Sequence, residues 1–526
     1  MTWAIFELWY LDKFVEPLHF ELAFGFAAIY FLTFYITFIG YKFRSSQNAA
    51  VENVSLILAN SFIFYGIGYT LFDRHPAFHG YLGLFTVANA GIHLTFGLIA
   101  ARIKTVSSDF IYLLGALVLT FITITVPVQF DIQIVTLVWT AEAAILFWIG
   151  RTKVIELYEY FSYPLMILAS LSLLGNFGNW LSVNEQVLAT ATQFPFFHSF
   201  FISSLFYVAA FALIYLINRD GGYAPAGNEG NRTLIKYFAV TAATIVFYNA
   251  FRGQINDYFD FLRFKTAVGL EVNSYGVSAT AMDGDLTRFS ALWQINYTML
   301  FLTVMAAMNI KRFKNTVLAV VNIALSCFLL LIFITFGLLL LSELRDSYLN
   351  LQDTSDYVFN HTIFHILIRY ISYVFVAGIF VSLYQYSKQP LLLANSDPKH
   401  NRFLFEMLLT VSLFFILSSE LLNCMDIFGM KDSYKLGLSI FWGVYALILV
   451  SVGISLGRKH LRVSAIVLFA ITLAKLVLYD IANLNTLSKT AVFVSLGLLM
   501  LIVSFLYHKY KAIIFKADID DQITEK

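Results

Sequence analysis

Residues 441–480 read FWGVYALILVSVGISLGRKHLRVSAIVLFAITLAKLVLYD. Two long apolar runs flank a short basic corner, and the second run, Leu461–Tyr479, would form a helix of roughly 28 Å. A helix of that length crosses the hydrocarbon core of a bilayer. Trp442 lies at the head of the first run, and Tyr479 and Asp480 close the second, as is typical of side chains at a membrane–water boundary. The stretch therefore predicts two membrane-spanning helices joined by a basic turn.

The composition extends this interpretation to the whole chain. Of 526 residues, 59% are hydrophobic, 17% aromatic and only 13% charged, whereas a soluble domain carries about 25% charged residues. A water-soluble fold is therefore excluded. The two cysteines, Cys327 and Cys424, lie in or beside apolar runs and cannot form a disulfide framework or a thiolate metal site. No basic run is long enough to indicate a nucleic-acid partner, and no motif indicates a cofactor.

Apolar runs of about 20 residues predict an all-α polytopic transmembrane bundle with about 15 spans. The predicted helices are Leu22–Ile39, Val54–Phe72, Leu82–Ala100, Phe110–Val126, Ile132–Ile149, Phe161–Leu174, Phe196–Ile217, Tyr237–Asn249, Trp293–Met308, Val317–Leu341, Ile363–Tyr384, Phe403–Leu422, Leu436–Leu456, Leu461–Tyr479 and Thr490–Tyr507. The sixth and eighth are shorter than the others.

The distribution of basic residues predicts the orientation. About two thirds of the 34 lysines and arginines lie in the loops after odd-numbered helices or in the C-terminal tail. Cytoplasmic loops carry such an excess, so the N-terminus is expected outside and the C-terminus in the cytoplasm of a bacterial inner membrane. The predicted segments are an outer interfacial segment (1–21), N-terminal helix repeats (22–251), an outer loop (252–292), C-terminal helix repeats (293–507) and a cytoplasmic tail (508–526).

Three tryptophans suggest an internal repeat. Trp139, Trp293 and Trp442 each begin a helix that runs inward, and each lies a step of four predicted helices after the one before. Gly150 and Gly453 each follow their tryptophan by eleven residues. Because a step of four helices preserves orientation, the pattern predicts parallel four-helix repeats. The alternative is coincidence, since tryptophan is common at membrane interfaces.

The closing stretch and one internal motif carry a family resemblance. The matching features of the closing stretch are Arg462, Lys475, Asp480, the turn ending at Lys489, Gly497, and Tyr507 with Tyr510. The internal motif is VWTAEAAILFWIG, with Trp139, Glu142 and Gly150. These features resemble bacterial membrane proteins of the DUF2339 group, a domain of unknown function, most sharply in the C-terminal part. The resemblance implies an inner-membrane location and brings no catalytic residues. Members of the group are usually longer at the N-terminus, so the chain is expected to be a short form or a fragment.

Ionisable side chains within membrane helices are expensive to bury and are candidates for function. Glu142 is expected near the bilayer midplane, and His93, beside Asn89, at a similar depth. Together, Glu142 and His93 form a candidate proton relay or cation site. The alternative is a structural hydrogen bond between helices.

A second set of candidates is expected toward the outer face: His361, His365, Arg369, Glu420, Lys475 and Asp480. The first three are spaced four apart, which would place them on one helical stripe. Arg369 with Glu420, and Lys475 with a carboxylate, are natural ion pairs. Such a cluster would either line a cavity for an anionic head group or pin the helices together. His361 and His365 have the spacing of two metal ligands but lack the intervening glutamate of the HExxH motif, so no metal site is expected.

Three classes of function remain open at this point. The first is a structural or partner-binding envelope component, because no site motif stands out. The second is a transporter or lipid-handling protein that uses Glu142, His93 and the outer cluster. The third is an intramembrane enzyme that acts on an envelope lipid. Membrane lipid is the expected partner of all three, with other membrane proteins as further partners.

Overall fold

The structure is a computed structural model that describes residues 2–14, 18–44, 51–103, 106–220, 229–269, 280–349, 361–389, 398–430 and 433–475, and seven separate residues between 490 and 505. The regular structure in these ranges is helical, apart from a two-residue antiparallel pairing of Val268–Gly269 with Thr280–Ala281. The predicted all-α polytopic bundle is therefore confirmed.

The chain divides into two compact units. The first comprises residues 1–187 and 195–251, and the second comprises residues 188–194 and 252–526. The helices up to residue 265 are α1 Thr2–Lys13, α2 Phe20–Arg44, α3 Val51–Arg74, α4 Leu82–Arg102, α5 Ser108–Gln129, α6 Ile132–Lys153, α7 Glu156–Thr190, α8 Ser199–Arg219 and α9 Glu229–Lys265. The later helices are α10 Asp285–Met308, α11 Thr316–Ile332, α12 Leu338–Leu349, α13 Phe364–Ser387, α14 Pro398–Ile427, α15 Tyr434–Ser455 and α16 Lys459–Lys475.

Each unit has a core of its own. In the first unit, Phe31 stacks on Phe64 and Tyr35 among other buried aromatic residues. In the second unit, Phe333 and Ile368 are among the fully buried side chains. Large apolar side chains also point outward, and Val317, Phe336 and Val374 are 65–73% exposed. Because such a surface is unfavourable in water, the helices contact membrane lipid.

Thirteen helices are long and apolar enough to cross a membrane among the described residues. They match the first thirteen predicted spans one to one. The fourteenth corresponds to α16, whose described part ends at Lys475, and nearly all of the fifteenth lies outside the described residues. The two short predicted spans were wrong in extent, because Phe161–Leu174 is the middle of α7 and Tyr237–Asn249 the middle of α9. Their polar ends continue as helix, which the apolar criterion does not detect.

Most of the described residues of the predicted outer loop over 252–292 are helical. Residues 252–265 continue α9, and α10 begins at Asp285. Between them lies the short antiparallel pairing, while residues 270–279 lie outside the described ranges. The helical ends carry charges, so hydropathy alone assigned them to the loop.

Helices α6 and α15, which the repeat prediction pairs, end in the same way. The residue four positions after the glycine has a left-handed backbone, with φ 57° at Val154 and 65° at Gly457. The next N–H group bonds back to the glycine carbonyl, at 3.0 Å for Ile155 and 2.8 Å for Arg458. This six-residue closure is the Schellman type of helix end. The two hairpins therefore share their turn geometry as well as their sequence spacing.

The tryptophans about two turns into these two helices also make similar contacts. The Trp139 indole donates a hydrogen bond of 3.1 Å to the Thr123 carbonyl on α5. The Trp442 indole donates one of 3.2 Å to the Ser418 hydroxyl on α14. In each case the acceptor lies on the preceding helix of the bundle. The pairing of each indole N–H explains why a tryptophan is tolerated at a packed position.

Candidate functional site

The mid-helix candidates of the first unit are held by different neighbours. His93 on α4 is fully buried, and its Nδ1 is hydrogen-bonded with the Tyr35 hydroxyl on α2. Glu142, at the centre of α6, accepts a hydrogen bond of 3.1 Å from the Thr123 hydroxyl on α5. No hydrogen bond or ion pair joins Glu142 to His93 in the described part of the chain. The structure therefore does not join Glu142 and His93 into the proton relay or cation site that the sequence suggested.

Asn89 contributes to the packing of α4. Its side-chain amide donates a hydrogen bond of 2.8 Å to the Phe85 carbonyl one turn earlier. The neighbouring His93 ring stacks on Phe121, with ring centroids 5.3 Å apart. Asn89 thus bonds within its own helix, and His93 bonds to Tyr35 and packs on Phe121. The other polar atoms, Asn89 Oδ1 and His93 Nε2, are buried without a hydrogen-bond partner among the described residues. This arrangement fits the structural alternative for Asn89 and His93.

Asp285 is the centre of the polar cluster in the second unit. It is the first residue of α10, where the helix dipole favours a negative charge. The Asp283 side chain accepts a hydrogen bond of 2.9 Å from the Asp285 backbone N–H, which holds this helix start in place. The Asp285 side chain is nonetheless buried, with only 5% of its surface exposed. A buried carboxylate requires partners, and the surrounding helices supply them.

The two histidines approach the same oxygen atom of Asp285. His361 Nε2 lies 3.4 Å and His365 Nε2 lies 3.5 Å from Asp285 Oδ2. The two imidazole rings have centroids 5.3 Å apart. Helix α13 begins at Phe364, so His361 precedes the helix and does not lie on the predicted helical stripe with His365. The chain before α13 brings the rings together instead.

Three further side chains complete this cluster. The Ser347 hydroxyl, near the end of α12, hydrogen-bonds to Asp285 Oδ2 and lies 3.0 Å from His361 Nε2. Arg288 Nη1 lies 2.8 Å from Asp285 Oδ1, and Arg288 Nε lies 2.7 Å from Glu343 Oε2. Arg288 therefore pairs with one carboxylate oxygen of Asp285, and the other carboxylate oxygen faces the two histidines.

The expected ion pair of Arg369 with Glu420 is present. Arg369 on α13 is 1% exposed, and its Nη1 lies 3.6 Å from Glu420 Oε2 on α14. The same nitrogen donates a hydrogen bond of 3.0 Å to the Ser419 hydroxyl. The hydroxyls of Tyr370 and Tyr373 donate to the two Glu420 oxygens, at 2.9 and 3.2 Å. Both charges are thus held by polar groups between the two helices.

The sequence reasoning missed a second buried ion pair of this unit. Arg345 on α12 lies 2.6 Å from Asp426 on α14, and these side chains are 7% and 3% exposed. Both residues follow apolar runs, and neither was among the candidates taken from the sequence. Their positions could have indicated the pair, because Arg345 and Asp426 each lie within one or two turns of the end of a spanning helix.

Lys475 lies at the end of the described part of α16. Its Nζ donates a hydrogen bond of 2.7 Å to the Ser439 hydroxyl and one of 3.3 Å to the Lys435 carbonyl, both on α15. The ammonium also lies 5.4 Å from the centre of the Trp442 ring, within reach of a cation–π contact. Asp480, its expected neighbour in the cluster, lies outside the described residues.

Comparison with known families extends the resemblance beyond the C-terminal part. A family model described as a predicted membrane protein of the DUF2339 group matches residues 1–510. The chain belongs to the DUF2339 family. No curated protein and no solved structure is detectably similar to this DUF2339 protein. Membership therefore gives the class of protein and leaves its molecular function to be inferred from the structure.

The sequence candidates of this DUF2339 protein form separate contacts. His361 and His365 meet on Asp285, while Arg369 and Glu420 pair with each other. Asp285 was missed because it lies in the segment that hydropathy assigned to a loop. A periodicity argument had no means of pairing it with residues more than seventy positions later in the chain.

Proposed function

We propose that this protein is a structural or partner-binding component of a bacterial inner membrane, with its N-terminus outside and its C-terminus in the cytoplasm. One observation carries the proposal: two buried arginines of the second unit each pair with a carboxylate of a neighbouring helix. Arg369 pairs with Glu420, and Arg345 pairs with Asp426. A buried charge engaged in this way links helices and is not presented to a transported ion or a substrate.

The energetic consequence of such pairing can be measured. Removing one partner of a buried ion pair leaves the other charge uncompensated, which costs about 3–5 kcal/mol, whereas replacing both partners is close to neutral. The double variant Arg369→Met with Glu420→Gln removes both charges, and the glutamine retains an acceptor for the tyrosine hydroxyls. We therefore expect each single variant to lower the apparent melting temperature and the double variant to recover most of the loss.

The test of function uses a bacterium whose own copy of the gene is deleted. A structural role predicts sensitivity of the deletion strain to detergent or osmotic shock, and rescue by both the wild type and the stable double variant. Rescue follows because packing, and not charge, would be required at this position. If the double variant is folded and present in the membrane but does not rescue, the pair serves chemistry or transport and the proposal is overturned.

The orientation is tested by labelling. In a background without Cys327 and Cys424, one variant carries Phe313→Cys and another carries Met430→Cys; both positions are exposed. These positions follow α10 and α14, at opposite ends of the predicted spans. A membrane-impermeant maleimide added to intact spheroplasts should label residue 430 alone and reach residue 313 only after lysis. The reverse pattern would place the N-terminus in the cytoplasm.

An intramembrane enzyme that acts on an envelope lipid is the second candidate function. The convergence of His361 and His365 on Asp285 favours it, because such groups transfer protons or bind metal ions. This alternative predicts that His365→Ala is folded yet fails to rescue the deletion strain, while the Arg369 and Glu420 double variant rescues it. The structural proposal predicts rescue by both variants.

A further inference from the structure

We propose that Asp285, His361 and His365 form a binding site for one divalent transition-metal ion, with zinc as the best-fitting ion. One carboxylate oxygen and two imidazole nitrogens of these residues all lie within 4.8 Å of one another. The residues come from the starts of α10 and α13, which the fold brings side by side. The proposal goes beyond the structural role of the neighbouring ion pairs.

Two of the three separations between these atoms fit tetrahedral zinc. Zinc binds nitrogen and oxygen at about 2.0–2.1 Å, so two ligand atoms of a tetrahedral site lie about 3.3–3.4 Å apart. The two histidine nitrogens lie 3.4 and 3.5 Å from Asp285 Oδ2. A direct charge-assisted hydrogen bond between an imidazolium and a carboxylate is shorter, about 2.7–2.9 Å. The observed separations therefore resemble those between two ligands more than those of a direct ion pair.

A comparison within the same unit makes this distinction concrete. His460 Nε2 lies 2.7 Å from Glu406 Oε2, the distance of a direct hydrogen bond. The Glu406 carboxylate also receives a hydrogen bond from Arg402. The pair of His460 and Glu406 contains only one histidine, and its short N–O distance is typical of a direct structural contact. It provides a matched control for the cluster at Asp285.

The surrounding hydrogen bonds orient the ligand atoms. His365 Nδ1 lies 2.9 Å from the Thr362 carbonyl and 3.2 Å from the Thr362 N–H. With the proton on Nδ1 donated to the Thr362 carbonyl, the lone pair of Nε2 is available to a metal ion on the side of Asp285. Arg288 holds the other oxygen of Asp285. Metal-binding histidines are held in this way, by a hydrogen bond from the ring nitrogen that does not bind the metal.

The ligand types agree with the same class of ion. Two imidazoles and one carboxylate suit zinc and other first-row transition metals better than magnesium or calcium, which prefer oxygen ligands throughout. Three protein ligands leave a fourth position for water or a substrate, as in catalytic zinc sites. The Ser347 hydroxyl contacts two of the proposed ligand atoms, Asp285 Oδ2 and His361 Nε2. We assign it a positioning role.

The site is tested on the full chain, purified in detergent through a tag without histidine. The protein is stripped with a chelator, incubated with zinc alone and desalted, and the bound metal is counted by mass spectrometry. We expect about one zinc ion per wild-type chain and loss of this ion in His361→Ala, His365→Ala and Asp285→Asn. Ser347→Ala should retain the ion but bind it about 10- to 100-fold more weakly. Cobalt in place of zinc should give the visible absorption of a tetrahedral complex.

The control variant is His460→Ala, which removes the histidine of the direct ion pair and should bind as much zinc as the wild type. His361→Ala decides the result even if a buried variant fails to fold, because His361 lies outside the helix and is partly exposed. Each variant is checked for a single size-exclusion peak. Zinc content that is equal in the wild type and in folded His361→Ala, or absent from the wild type, would overturn the proposal.

Discussion

Gly150 lies against the first turn of helix α7 so closely that a Cβ atom on it would come within 2.6 Å of the Glu159 backbone nitrogen. The equivalent Gly453 lies against the start of α16, where a Cβ would come within 3.0 Å of the Arg462 backbone nitrogen. Both glycines allow two consecutive helices to cross at backbone contact. Small residues serve this purpose in membrane bundles, because apolar lipid does not drive helices together and close packing must do so.

The first prediction concerns this contact. Gly150→Ala should destabilise the protein by about 1–3 kcal/mol, since the methyl group meets backbone that is unable to rotate away. Gly115→Ala is the control: it lies in α5, and a Cβ there would meet no atom within 4 Å. We expect the control to be neutral or stabilising, because alanine favours the helix over glycine. The measurement is the apparent melting temperature in detergent; equal values for both variants would contradict the close approach.

The second prediction concerns the ion pair beside that glycine. Arg151 lies 2.8 Å from Glu159, and the two side chains are 1% and 0% exposed. Glu159→Gln leaves the arginine without a counter-charge, so we expect a loss of about 3–5 kcal/mol in the free energy of unfolding. The control is Glu156→Gln in the same first turn of α7, where the side chain is exposed. It should change the free energy by less than about 0.5 kcal/mol.

Unfolding by sodium dodecyl sulphate in mixed micelles, followed by tryptophan fluorescence, measures both free energies. The Arg151 guanidinium also donates a hydrogen bond of 3.1 Å to Asn218 on α8, so the pair joins three helices. Loss of the pair should therefore expose α8 as well as α7 to limited proteolysis. A Glu159→Gln protein as stable as its control would show that the buried pair does not hold these helices.

The third prediction separates a structural role of Glu142 from ion transport. Glu142 Oε2 is buried without a hydrogen-bond partner, and Oε1 accepts its bond from Thr123. Glu142→Gln keeps that bond, so we expect a stability within about 1 kcal/mol of the wild type. A structural protein with this variant should also rescue the deletion strain. Failure of the folded variant to rescue would favour the transporter hypothesis, because only the ability to ionise has been removed.

Glu142→Ala is the companion variant. It removes the hydrogen bond as well as the charge, and Thr123 loses its side-chain acceptor on α6. We expect a loss of about 0.6 kcal/mol, the average value of such a bond between membrane helices. A much larger loss would mean that Glu142 has a further partner in the membrane.

The turn geometry shows how much local structure could be anticipated. The Trp139–Gly150 and Trp442–Gly453 spacings predicted corresponding hairpins, and the structure gives them the same helix ends. The Arg369–Glu420 pair was also expected, because two opposite charges inside apolar helices must find each other. The two tyrosine hydroxyls that donate hydrogen bonds to the Glu420 carboxylate could not be predicted from the spacing of residues.

The histidine cluster shows where sequence reasoning ends. The spacing of His361 and His365 suggested a shared helical face, but His361 precedes the helix. The third member, Asp285, lies on another helix and could be found only once α10 and α13 were placed side by side. The pairing of Arg345 with Asp426 was missed for the same reason, since no sequence pattern relates two helix ends across a bundle.

The sequence by itself determined that this chain is a helical membrane protein with the observed order of spans. The reason is that every backbone polar group in a lipid environment must be satisfied within its own segment, so each apolar run of sufficient length becomes a helix. The tertiary structure alone decided which polar side chains meet. Helix packing depends on the shape of whole surfaces, and the contacts of Asp285, His361 and His365 arise from that packing and not from their positions along the chain.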